Sequence, residues 1–299
     1  MSMTTKTAFI AIVGCPNVGK SSLLNRMLGQ KIAIVSDKPQ TTRTRIMGVL
    51  TLGEIQLVFT DTPGFHRPHD KLGEKMIKAV GESISGVDAC MLVVEPEGEL
   101  RPAEQELIER FKREKLPVIL AINKIDTLQQ KSQLVSRITE MCKYYDYEAV
   151  VPVSAKKGDG VDALIDELKK LAFESVHYFP ADTLTDQPER VLAAEIIREK
   201  LLRRLDKEVP HGIAVAIEKM RERTDSSGIM DVEATIYCER ETHKGIIIGK
   251  KGETLKTVST YARQDMEKFF ACKINLRCWV KVKEDWRNRE GLIHNFGLD

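Results

Sequence analysis

Three short stretches carry residue types whose spacing suits chemistry on a phosphorylated nucleotide. The first, Gly14-Cys15-Pro16-Asn17-Val18-Gly19-Lys20-Ser21, places two glycines ahead of a lysine and a hydroxyl. Glycines let backbone N–H groups curl around phosphate oxygens, Lys20 can reach the outer phosphates, and the Ser21 hydroxyl suits Mg2+, with Ser22 in the same turn. The second, Asp61-Thr62-Pro63-Gly64, follows an apolar run that ends at Phe59. Asp61 then lies where open α/β sheets bind ligands and can join the magnesium shell, and the Gly64 N–H can sense a terminal phosphate. The third, Asn123-Lys124-Ile125-Asp126, also follows an apolar run. A carboxylate at Asp126 accepts from both guanine N1–H and the exocyclic N2–H2, a pair that adenine lacks, and burying it without that pair costs several kcal/mol. The three stretches in this order predict a site for GTP and GDP with Mg2+, in which Lys20 and Gly64 do catalytic work.

Such residues need strand ends to hold them. Short apolar runs at Phe9–Val13, Ile55–Thr60, Ala89–Val94, Val118–Ile122 and Ala149–Val153 alternate with amphipathic stretches at Lys20–Leu28, Pro102–Lys112, Lys131–Tyr144 and Val161–Leu171. That alternation predicts an α/β domain with a doubly wound, mostly parallel sheet over residues 1–178. Residues 179–190 contain Pro180 and Pro188 among turn formers and are expected to be a linker. A smaller α+β domain is expected over 191–299: a helix from about Glu189 to Leu205, strands at Ile213–Ile217 and Met230–Tyr237 joined by Asp225-Ser226-Ser227-Gly228, two short helices around a Gly-rich turn, and a last strand Ile274–Val282. Trp279 is expected in the core of that domain, and Trp286 in the charged tail is free to stack.

With these residues in order, the first domain resembles the translation-factor-related GTPases. The resemblance implies that Ser154-Ala155-Lys156 supports the guanine from its other side and that Gln40-Thr41-Thr42-Arg43 is switch I. Thr42 would supply a hydroxyl to Mg2+, Thr41 and Thr44 being the alternatives. Phe65 follows Gly64 where many small GTPases place the glutamine that orients the attacking water. Relatives with a hydrophobic residue there are similar to this chain in carrying asparagine at the Asn17 position. In some of them that asparagine holds K+, which could supply charge during phosphoryl transfer; the other reading is that Asn17 merely tolerates a tight loop.

In the second domain Ile248-Gly249-Lys250-Lys251-Gly252 resembles the GXXG loop of type II KH domains, with Lys244 close before it. Two glycines let the loop approach a sugar-phosphate backbone, and lysines and arginines outnumber acids between Lys244 and Arg289. A GTPase domain followed by one KH domain, with Phe65 and the tail Trp279–Arg287, resembles the Era-like family of bacterial GTPases over nearly the whole chain. The departures are Cys15 and Ser22, where arginine and threonine are more usual. This resemblance implies a slowly hydrolysing GTPase that binds the single-stranded 3′ end of 16S rRNA and assists maturation of the 30S subunit, as a monomer in the cytoplasm with peripheral inner-membrane association. Two other readings remain open: an RNA chaperone in which nucleotide is structural rather than a timer, and a second domain that docks to protein.

Whole-chain properties set broad limits. The 299 residues suggest two domains, and the 42% apolar and 30% charged fractions are those of a folding globular chain. A net charge of +2 decides nothing about partners. The six cysteines lack any CxxC pairing and are expected to be reduced. No stretch approaches the roughly 20 apolar residues of a transmembrane helix, and the N-terminus carries no signal-peptide pattern.

Overall fold

The computed structural model describes residues 4–38, 40–65, 68, 70–225 and 228–298. The chain divides into two compact units, the first formed by Met1–Ala33, Thr42–Arg67 and Met76–Asp186, the second by Ile34–Thr41, Pro68–Lys75 and Gln187–Asp299. The two early segments of the second unit fall within residues that the sequence pattern assigns to the first domain.

In the first unit, β1 (Lys6–Val13), β2 (Ile46–Leu52), β3 (Ile55–Asp61), β4 (Ala89–Val94), β5 (Val118–Ile122) and β6 (Ala149–Pro152) run in the order β2-β3-β1-β4-β5-β6. All neighbours are parallel except the β2/β3 hairpin, and a two-residue β7 (Phe173–Glu174) pairs antiparallel with β1. Every residue of β4 and β5 is buried, which explains their unbroken apolar sequences. The crossovers are α1 (Lys20–Leu28), α3 (Pro102–Glu114), α4 (Lys131–Met141) and α5 (Val161–Lys170). Besides the two-residue β7, the sequence pattern missed β2, an edge strand, and α2 (Lys71–Ile84), whose Leu72, Met76, Val80 and Ile84 repeat at i+4 and are all buried.

The expected linker is tied to the β2 edge and to Gln56 of β3. Thr185 Oγ1 donates to the Met47 carbonyl at 2.6 Å, the Val49 N–H donates to the Leu184 carbonyl at 2.9 Å, and Gln56 Nε2 donates to the Phe179 carbonyl at 2.9 Å. The segment therefore covers backbone groups that an edge strand would leave open.

The second unit contains α6 (Glu189–Arg204), β8 (Ala214–Glu222), β9 (Ile229–Cys238), α7 (Glu241–Ile248), α8 (Glu253–Phe270), β10 (Lys273–Val282) and α9 (Glu290–Asn295). Its sheet has the order β10-β9-β8, with β9 parallel to β10 and antiparallel to β8. Ile197 and Leu201 of α6, Val232 and Ile236 of β9 and Val258, Ala262 and Met266 of α8 form its core. The helix-strand-strand-helix-helix-strand order is as expected, but α8 spans 18 residues instead of being short. Ser226 and Ser227 of the expected turn lie outside the described residues.

Both tryptophans reverse their expected places. Ile274, Leu276, Cys278, Val280 and Val282 of β10 pack on the core, so strand alternation turns Trp279 outward with Arg277 and Lys281, and it is 45% exposed. Trp286 is fully buried, donates from Nε1 to the Gly212 carbonyl at 2.9 Å and meets Phe296 edge-on at 5.4 Å. A charged neighbourhood in sequence hid a core residue.

The early segments of this unit lie along α6 and the tail. The Glu199 carboxylate, with no exposure, accepts the Val35 N–H at 3.1 Å; the buried Arg198 guanidinium donates to the Thr41 carbonyl; Lys38 pairs with Asp206 at 2.6 Å. Arg287 pairs with Asp70 at 3.1 Å and Lys71 with Glu290 at 2.8 Å.

Candidate nucleotide site and glycine loop

The site collects at the C-terminal ends of β1, β3, β5 and β6. At the end of β1 the chain turns through Gly14, where a Cβ would stand 2.3 Å from the Val93 carbonyl oxygen, and reaches α1 through Gly19, at φ +97, where a Cβ would stand 2.2 Å from Asn123 Nδ2. Both glycines are therefore required by close packing as well as by backbone shape. The N-terminus of α1 consequently faces the loop, aiming its unpaired N–H groups where phosphates would lie. Lys20 is 6% exposed, and its Nζ donates to the Gly14 and Cys15 carbonyls at 3.0 and 2.9 Å. Burial pulls its pKa down from 10.5 to about 8, against the pull of Asp61. Asn17 has φ 64, a conformation asparagine tolerates well.

Three oxygens meet beside this loop. Ser21 Oγ donates to Asp61 Oδ2 at 2.6 Å and lies 2.9 Å from Thr42 Oγ1. Asp61 is fully buried, and its Oδ1 accepts no hydrogen bond among the described residues. Burial raises the Asp61 carboxyl to about 6, although Lys20 and Ser21 favour its charged form. Two hydroxyls and a carboxylate with a spare, buried oxygen are hard donors of the kind Mg2+ takes, so the residues fit that ion. Thr41 Oγ1 is instead committed to the Lys38 carbonyl at 2.6 Å, so Thr42 is the threonine brought to Ser21.

After β3, a Cβ on Gly64 would stand 2.7 Å from Pro16 Cα, and the Phe65 N–H donates to the Gly14 carbonyl at 3.2 Å. The Phe65 side chain packs against the apolar cluster around β4 and β5. It has neither the polarity nor the placement to orient water. Thr62 Oγ1 ties the turn to the Ile12 carbonyl at 2.8 Å.

On the base side, Asn123 works as a strut: its Nδ2 donates to the Val18 carbonyl at 2.8 Å, and its Oδ1 accepts the Ala155 N–H at 3.0 Å. Ser154 Oγ donates to Asp126 Oδ1 at 2.6 Å, which holds that carboxyl below its ordinary range. Asp126 is thus oriented and kept charged, ready to accept two donors in one plane. Lys124, at φ 67, pairs with Glu95 at 2.6 Å. Two further residues brace the site: Glu95, and Arg26, which donates to the Ala155 and Lys156 carbonyls at 2.9 and 2.6 Å. Neither belongs to a motif, and only the fold reveals them.

In the second unit, Gly249 separates α7 from a short turn that leads into α8 at Gly252; their φ values are 74 and 80, and Lys251 has φ 51. A Cβ at Gly249 would stand 2.2 Å from Thr254 Oγ1. Lys250 and Lys251 are exposed, while Ile248 is half-buried and Lys244 pairs with Glu241 at 3.5 Å. This places two cations on a loop whose backbone can be approached closely.

A family model described as a 50S ribosome-binding GTPase matches residues 9–124, and a KH domain model matches residues 208–287. GTPase Era of Clostridioides difficile is 51% identical over 98% of this chain and 99% of its own length. GTPase Era of Alkaliphilus metalliredigens is 45% identical over 99% of this chain and 100% of its own. A crystal structure of Era in complex with MgGDPNP and nucleotides 1506–1542 of 16S ribosomal RNA matches with a TM-score of 0.94 and 39% identity, covering 98% of this chain and 99% of that one. A structure of Aquifex aeolicus Era bound to GDP.AlF4- matches with a TM-score of 0.95 at the same identity. With the Gly14–Ser21 loop, the Ser21, Thr42 and Asp61 oxygens and the Asn123 strut in one site, and relatives matching end to end, this chain belongs to the Era family of GTPases.

Proposed function

We propose that this GTPase binds GTP with Mg2+ held by Ser21, Thr42 and Asp61, hydrolyses it slowly, and uses the change of state to govern a grip on the single-stranded 3′ end of 16S rRNA during 30S subunit maturation. The observation that carries the reading is the convergence of Ser21, Thr42 and Asp61 oxygens, because Thr42 belongs to a loop and can serve as a ligand only while that loop is in place. In this reading Lys20 neutralises the outer phosphates, Gly64 offers its N–H to the transferring phosphoryl group, and Asp126, steadied by Ser154, selects guanine. Mg2+ supplies Lewis-acid charge when bound. Phe65 leaves water unoriented by a side chain, which makes intrinsic turnover slow. A K+ ion beside Asn17 would supply further charge, and turnover should then be faster in K+ than in Na+; equal rates would remove that role.

Support for RNA as the second ligand comes from the exposed Lys250 and Lys251 on a closely approachable loop, and from the Era relative seen with 16S rRNA nucleotides. The test is filter binding of single-stranded 3′ 16S rRNA with GDP and with a nonhydrolysable GTP analogue. Different affinities support the timer, whereas equal affinities leave nucleotide as a structural ligand. Lys250→Glu with Lys251→Glu should reduce RNA affinity at least tenfold by removing phosphate contacts. Monomeric state and peripheral association with the inner membrane belong to the same reading and are testable by light scattering and vesicle flotation; no helix among the described residues is long and apolar enough to cross a membrane.

A further inference from the structure

The helix that starts at the glycine loop leads to a second recess in the same unit. Lys200, Arg203 and Arg204 of α6 and Thr257, Val258 and Tyr261 of α8 line a cavity of about 320 Å3, near the lower end of small-ligand pockets. Lys200 is held by Asp265 and lies 3.3 Å from Glu199. Arg203 lies 2.9 Å from Glu199 and also donates to the Val35 carbonyl. Two cations are thus balanced by two carboxylates, and Arg204 supplies the excess positive charge. Its exposed guanidinium makes no hydrogen bond or ion pair among the described residues. Tyr261 is 56% exposed, and its hydroxyl also makes no hydrogen bond among the described residues.

An accessible aromatic ring beside an uncommitted guanidinium, with an aliphatic floor at Val258, meets the needs of one nucleotide: a face for the base and a charge for the phosphate. An acidic peptide would use the single excess charge and leave the ring unused. The recess also shares a stripe of α8 with the contact to the glycine loop. Thr254 packs against Gly249, and Thr257 and Tyr261 follow it at i+3 and i+7 on one stripe of α8. Tyr261 therefore lies about 10 Å along the helix axis from the loop contact. A KH loop clamps about four nucleotides, so a strand leaving it has chain left over to reach the recess.

We propose that this recess is a second single-stranded RNA contact, taking one nucleotide outside those gripped at Gly249–Gly252, with its base stacked on Tyr261 and its phosphate on Arg204. The inference rests on the reading that the glycine loop holds RNA. It is tested with the full chain and two labelled 3′ 16S rRNA oligonucleotides, a tetranucleotide confined to the loop and a longer one that runs past it on both sides. Tyr261→Ala should weaken the longer RNA about tenfold and leave the tetranucleotide nearly unchanged, while Tyr261→Phe retains the stack and the affinity. Arg204→Ala should lower the salt dependence by about one phosphate contact. Both side chains are exposed, so thermal melting should match the unaltered protein.

If Lys250→Glu with Lys251→Glu loses both RNAs while Tyr261→Ala and Arg204→Ala bind the longer RNA normally, the recess proposal falls and the loop reading stands. If the loop variant binds both RNAs normally, the underlying reading falls. An acidic peptide that binds the recess while longer-RNA affinity ignores Tyr261→Ala also overturns the proposal.

Discussion

At the scale of single residues, most polar side chains of the candidate site are tied to other protein groups. Asp126 is oriented by Ser154, whose bond holds its carboxyl below the ordinary range, so under the proposed reading Asp126→Ala should remove two charge-assisted hydrogen bonds to guanine. Affinity for GDP should fall about 10²- to 10³-fold by calorimetry, with weak adenine nucleotide binding unchanged. Gly64→Ala should act on the triphosphate state. A Cβ there meets Pro16 at 2.7 Å, pushing the turn away from the phosphate loop. Its affinity for a nonhydrolysable GTP analogue should drop about tenfold more than for GDP, a gap of about 1.4 kcal/mol. That the motif residues would converge was legible, because each motif follows an apolar run that places it at a strand end. Arg26 and Glu95 were not, because any surface arginine or glutamate reads alike until the fold sets it beside Ala155 or Lys124.

At the scale of elements, the buried parallel strands β4 and β5 were legible to the residue, since burial on both faces demands an unbroken apolar run. β2 was not, because an edge strand with one covered face shows only a mixed pattern. The tail shows how a single anchor can be hidden by charged neighbours. Trp286→Ala should destabilise the second unit by about 3–5 kcal/mol, read as an earlier denaturant midpoint, and Trp286→Phe by less. A polar tie joins β9, β10 and the residue after β8: Asp231 accepts from Arg223 at 2.9 Å and from Asn275 at 2.7 Å, and these bonds take its carboxyl from 3.8 down to about 2. A depressed folded pKa contributes stability above pH 4 that is lost as pH falls toward 2. Asp231→Asn should therefore flatten the fall in melting temperature over that window; an unchanged slope would assign the acid sensitivity elsewhere.

At the scale of the whole molecule, the chain passes between its two units at 33/34, 41/42, 67/68, 75/76 and 186/187. The order of elements in each half was legible from alternating patterns, but this passage back and forth was not, since it depends on buried Arg198 and Glu199 holding backbone of Thr41 and Val35. A fragment 187–299 should retain its sheet by circular dichroism yet melt well below the second unit in the full chain. Cutting away Val35 leaves the buried Glu199 without its amide donor, a loss of about 1–3 kcal/mol.

The same passage constrains how such a protein can be rebuilt. A terminal RNA-binding module is ordinarily exchanged between proteins at one junction, but here one splice near residue 187 would separate α6 from Val35 and Thr41, and the tail residue Arg287 from Asp70. A chimaera that takes its second half from a distant relative inherits a mismatched pair of early segments. Inheritance of the two halves is thereby linked: working exchanges must carry residues 34–41 and 68–75 with the second unit, or find partners that already suit them.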